Sequence, residues 1–82
     1  MNIVIESVAV QTAMKICDCE KSIHVQPSFN IDGSVDDHLV DVVVNDVCSI
    51  KQQIDFNGLQ LIIKTGHILN LKYVDYGSIK IL

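Results

Sequence analysis

The sequence contains no Arg and no Trp, a single Pro, two Ala, and only two Phe and two Tyr. Without guanidinium forks or indole surface, the chain lacks the groups with which nucleic-acid binders grip phosphates and stack on bases. Six Lys against ten Asp and Glu leave a net charge of -4, the wrong sign for a polyanion partner. Nucleic acid is therefore not expected as a partner. Long apolar runs are missing too. Ile3-Val4-Ile5, Val42-Val43-Val44 and Leu61-Ile62-Ile63 stop at three residues, so no segment is expected to span a bilayer. No charged-then-apolar leader opens the chain, and a cytoplasmic, non-membrane protein is the expectation. Gly-rich phosphate loops, a nucleophile elbow and a His-Glu-x-x-His motif are likewise absent, so no enzyme and no cofactor are expected.

What the chain does have is Val and Ile, 23 of its 82 residues. β-Branched side chains are stiff at χ1, which disfavours helices and suits a pleated, half-buried surface. Length and the lack of any linker or repeat predict one compact domain over residues 1–82. The expected fold is mainly β, a small antiparallel sandwich or barrel that ends in a meander. The runs Ile50–Phe56, Leu59–Lys64, His67–Asp75 and Ser78–Leu82 would form that meander, punctuated by Asn57-Gly58, Thr65-Gly66 and Tyr76-Gly77. Asn-Gly between alternating apolar residues predicts a two-residue hairpin turn.

Two further strands are expected at Asn2–Val10 and Ile23–Ile31, the second an edge or interrupted strand because Pro27 cannot donate to a ladder. Thr12–Lys21 fits a short helix or a loop. Residues 34–54 fit two periods. A helix near 35–50 would align Leu39, Val43, Val47 and Ile50 on one face and make the fold α+β. Strands would align Val40, Val42 and Val44, then turn at Asn45-Asp46. Six Val and no Ala between residues 35 and 47 favour strands.

Clusters with chemical potential are few. Cys17, Cys19, His24 and possibly Cys48 hold the thiols and an imidazole, but one intervening residue is not the spacing of structural zinc sites. Three cysteines, with no sign of export, read as reduced thiols. Asn30, Asp32, Ser34 and Asp36 alternate oxygen ligands around Gly33, yet the glycine and the closing residue fall out of place for a calcium loop. No metal is expected. Residues 18–46 hold seven acids and one Lys, a local charge of -6, whereas residues 56–82 hold three Lys and one Asp, a local +2.

That asymmetry predicts a non-enzymatic domain that binds a basic protein partner, as an accessory factor or inhibitor, through Asp36, Asp37, Asp41 and Asp46. Two-faced apolar strands, Asn2–Val10 and Leu39–Val47, predict self-association into a homo-oligomer. The alternative is an oligomer that sequesters a small anion such as a nucleotide at subunit interfaces, on Lys64, Lys72 and Lys80.

Overall fold

A computed structural model describes residues 1–17, 22–53, 57–72, 74 and 76–82. The chain runs β1 (Ile3–Ala9), α1 (Val10–Cys17), β2 (Ile23–Phe29), β3 (Val35–Val44), β4 (Val47–Gln53), β5 (Gly58–Ile63), β6 (Ile68–Lys72), a 3-10 turn (Tyr76–Ser78) and β7 (Ile79–Ile81). It is a small domain dominated by antiparallel strands in two sheets, one ordered β2-β3-β1-β7 and the other β4-β5-β6. Residues 35–44 and 47–53 are strands, so the helical reading of 35–50 is overturned: β-branched residues pair across β1 and β3 (Val4 with Val43, Ile5 with Val42), where such side chains gain most.

Helix α1 takes up the stretch that fits helix or loop, beginning at Val10. Ala13 and Lys15 propagate a helix well, Ala13 is buried, and Lys15 sits in the last turn where the helix dipole favours a cation. Strand β2 is the edge that Pro27 implies, and its ladder to β3 shifts register just beyond Pro27.

β1 carries a bulge at Glu6-Ser7 opposite Asp41, between the pairs Ile5–Val42 and Val8–Val40. Plain alternation would place Val8 on the face opposite Ile3 and Ile5. The extra residue returns Val8 to the core side, where it packs against the buried cluster. Ser7 accommodates the bulge at φ +57°, and its N–H donates to Asp41 Oδ1 at 3.1 Å. Left-handed backbone costs a side-chain-bearing residue about 1–2 kcal/mol. Ser7 already bears that cost, so Ser7→Val should destabilise the fold only by the further penalty of a β-branched residue there, whereas Ser7→Gly should not destabilise it, as read by urea denaturation.

Three expectations about connections are corrected. Gly58 is not a turn residue. It opens β5, pairs with Gln53 and Lys72, and is buried, so the β4–β5 connection is residues 54–57, of which 54–56 lie outside the described residues. The Asn45-Asp46 segment is not a hairpin but the point at which the chain leaves one sheet for the other. Asp46 takes φ +59° there, its N–H donating to Asn2 Oδ1 and its carbonyl accepting from Lys64 N–H. Finally, the meander has three strands, not four. The 3-10 turn redirects the chain, and β7 pairs with β1 (Ile5 with Ile79), not with β6.

Both sheets supply one buried cluster: Ile3, Ile5, Val42 and Val44 from the first, Leu61, Ile63, Leu69 and Leu71 from the second, with Ala13 of α1. The alternation expected in β5 and β6 holds, with Gln60 and Asn70 paired outside (Nε2 to Oδ1, 3.3 Å).

Candidate functional site

The four-stranded sheet is uneven. β1 pairs with β3 only from Leu39 to Val44, so Val35–His38 have no β1 neighbour and the β2–β3 hairpin overhangs the sheet. Along β2 the side chains pass from buried Ile23 to half-exposed Val25 and then to Phe29, 67% exposed. Ile31 at the tip is fully exposed, and Val35 is half exposed. Three apolar side chains, Phe29, Ile31 and Val35, thus stand beyond the core, where a small domain rarely leaves them in water without a use.

The tip holds its shape through its own hydrogen bonds. Asn30 N–H donates to the Ser34 carbonyl (2.8 Å) and Gly33 N–H to the Asn30 carbonyl (2.9 Å), with Gly33 at φ +85°. The β5–β6 turn repeats the pattern: Ile63 N–H to the His67 carbonyl (2.9 Å), Gly66 N–H to the Ile63 carbonyl (2.8 Å), Gly66 at φ +91°. Three-residue loops of this kind close with a left-handed residue, which is why each carries Gly. At the tip, Asp32 Oδ1 also accepts from Ser34 N–H (2.9 Å) and Ser34 Oγ (2.6 Å), while Asn30 Nδ2 donates to Ser34 Oγ (3.0 Å). The alternating oxygens thus serve the loop itself, and Asp36 Oδ1 accepts from His38 N–H (2.8 Å).

These bonds favour the charged carboxylate, with the Ser34 hydroxyl first and its amide next, and hold Asp32 below its ordinary 3.8. A lowered folded value means that the Asp32 contribution is present above pH 3.8 and is lost as pH falls through the lowered value. The Ser34 amide resonance should therefore titrate with a midpoint below 3.8, and Asp32→Asn should remove that titration.

Of the sequence-derived acids, Asp36 and Asp37 lie on the overhang with Asp32. Asp41 sits against the β1 bulge, bonded to Ser7, and Asp46 is at the opposite end of β3 in the sheet junction. The fold brings two of the four together. Phe29 and Ile31 were not singled out from sequence, though an Ile inside Asn30-Ile31-Asp32-Gly33 stands in a turn and cannot be buried as a strand residue is. A shallow groove of about 310 Å³ on the hairpin is lined by Val25, Pro27, Val35 and Val40 together with Asp36 and Asp37.

The three lysines do not converge. Lys64 is in the β5–β6 turn, Lys72 at the far end of β6, and Lys80 in the other sheet, 3.1 Å from Glu6 Oε1 in an exposed ion pair of the kind that contributes little. Cys48 is a free, exposed thiol, His24, His38 and His67 are exposed, and Cys19 lies outside the described residues. Among the described residues, no three His, Cys, Asp or Glu gather where a metal ion fits, and no helix is long and apolar enough to cross a membrane. Comparison with known proteins gave no match to a family model, a curated protein or a solved structure.

Proposed function

We propose that this chain is a non-enzymatic, cytoplasmic protein-binding domain, an accessory factor or inhibitor that engages a basic partner through the overhanging β2–β3 hairpin. The observation that carries this reading is the placement of Phe29 and Ile31 in solvent beside Asp32, Asp36 and Asp37, with no Lys between residues 25 and 40. Apolar area supplies affinity, and the acids select a partner that carries Lys or Arg beside its own apolar residues. Pro27 keeps the β2 edge from templating another strand, so recognition falls to side chains rather than ladder bonds. Self-association into a homo-oligomer is part of the same reading, supported by further exposed apolar side chains, Ile81 and Leu82, along the short open edge of β7. The one buried cluster that both sheets share supports a small sandwich as the finer description of the fold.

The alternative, a nucleotide-sized anion held between subunits by Lys64, Lys72 and Lys80, has less support, because those groups lie apart. Neutralising Asp36 and Asp37 to Asn tests the hairpin reading. Association with the partner should slow, and its dependence on salt should flatten, with stopped-flow rates measured between low and physiological ionic strength. Unchanged rates and salt slope would contradict a role for these carboxylates. Asp41 is left intact in that variant because its carboxylate accepts the bulge N–H.

A further inference from the structure

The outer face of the three-stranded sheet is the charge opposite of the hairpin. From Val47 to Gln53 and from Gly58 to Lys72 the chain carries Lys51, Lys64 and Lys72 and no Asp or Glu. Alternation sends Leu59, Leu61, Leu69 and Leu71 to the buried side, which turns Gln60, Ile62, Ile68, Asn70 and Lys72 to the other face. Lys51 lies opposite Gln60 in the ladder and shares that face. One row along, half-buried Ile62 pairs with Ile68, which is 50% exposed. Lys64 stands exposed in the β5–β6 turn beyond that row, so lysines border the two isoleucines on both sides. Strand spacing puts Lys51 and Lys72 about 12 Å apart, too wide for one small anion but suited to a surface with several carboxylates.

The hairpin has the complementary arrangement. Phe29, Ile31 and Val35 are exposed, Asp32, Asp36 and Asp37 border them, and no Lys occurs between residues 25 and 40. The two surfaces belong to different sheets, and a second copy offers each the surface that matches it. We propose that the basic partner is another copy of this chain, the tip of its β2–β3 hairpin docked on the outer face of β4-β5-β6 of the next. Phe29 and Ile31 meet Ile62 and Ile68, while Asp32, Asp36 and Asp37 face Lys51, Lys64 and Lys72. This rests on the hairpin reading above and names its partner. Charge guides the approach, and the apolar contact holds it. A domain this small buries only about 60% of its unfolded surface, so it gains from such a contact. Because unlike surfaces join, each docked copy leaves a hairpin or a face open, and assembly continues into a ring or a filament.

Sedimentation velocity of the full chain up to about 1 mM, which detects even weak association, is the test. The wild type should form species larger than a dimer that shrink as salt is raised. Lys51→Glu, Lys72→Glu sets like charges against the hairpin and should weaken self-association at least about tenfold. Both positions are exposed, and Lys51→Gln, Lys72→Gln takes its place if the charge-reversed chain does not fold. The sharpest arm mixes the lysine variant with Phe29→Ser, Ile31→Ser. The first keeps its hairpin and the second its lysine face, so each alone should stay monomeric while the mixture forms a one-to-one complex and nothing larger. The proposal is overturned by a wild type that stays monomeric throughout, by lysine variants that associate as the wild type does, or by a mixture that gives no complex. A monomeric wild type that retains a foreign basic protein would overturn the second copy as partner and leave the hairpin reading standing. Self-association and foreign retention both unchanged in Phe29→Ser, Ile31→Ser would overturn both.

Discussion

Replacing Leu61 by Ala should cost about 2–5 kcal/mol of stability, the range for deleting three carbons from a packed core. Leu61 is fully buried at the centre of β5, opposite Ile50 on β4 and Leu69 on β6, in the cluster that also takes Val42 and Val44 from the other sheet. Neighbouring strands cannot collapse far into the gap, because each is pinned in register by its ladder. At about 0.05–0.15 kcal/mol per residue, a domain of this size has about 4–12 kcal/mol in all, so this one substitution removes a large share of the total. Ile68→Ala, on the exposed side of β6, should cost less than about 1 kcal/mol. Urea denaturation followed by far-UV circular dichroism and by amide signals from both sheets reads the difference. One transition, shifted for both sheets together, is expected from the common cluster. Survival of the β1–β3 amides after β4–β6 had unfolded would show that the sheets do not share a core.

The second large effect is on binding. The double substitution Phe29→Ser, Ile31→Ser should weaken the partner complex by at least about 30-fold, the roughly 2 kcal/mol of an interface hot spot. The same change should leave stability nearly intact. Ile31 is in solvent, and Phe29 is 67% exposed, with Val35 as its ladder partner, a cross-strand pair of the kind that contributes about 0.2–1 kcal/mol. A large loss of affinity with a small loss of stability is the signature of a surface kept for contact. Equal affinity in the variant would instead make the exposed side chains incidental, as scattered surface hydrophobics usually are.

The local grammar of this fold was legible in the letters. Val and Ile content gave strands over 35–44 and 47–53 against the competing helical period, and Thr65-Gly66 gave a hairpin because a left-handed position sits there. Pro27 marked an edge. What the letters did not carry was decided by distant residues. Gly58 resembles a turn glycine until its pairing with Gln53 and Lys72 shows it inside a ladder. Ser78–Leu82 has the alternation of a fourth meander strand, yet Ile79 and Ile81 pair with Ile5 and Ile3, more than seventy residues earlier in the chain. The sheet change at Asn45-Asp46 depends on bonds to Asn2 and Lys64 that no local pattern announces.

The candidate site shows the same division. Asp36 and Asp37 were visible as charge, but charge alone also selected Asp41 and Asp46, whose oxygens and backbone serve the bulge and the sheet junction. Ile31 is exposed because it stands in the hairpin turn, whereas Phe29 reads as the end of a strand, and the β1–β3 ladder ends at Leu39 before it reaches the level of Phe29 and its partner Val35. Exposure on an overhang is a property of strand lengths in three neighbours, which a single segment does not encode.

The most direct measurement is a quantitative comparison of proteins retained by the wild-type chain and by the Phe29→Ser, Ile31→Ser chain. Both are immobilised at equal density after their folds are matched by circular dichroism. The hairpin reading predicts at least one basic protein held by the wild type, released by moderate salt, and lost from the variant. Identical retention by the two chains would contradict it.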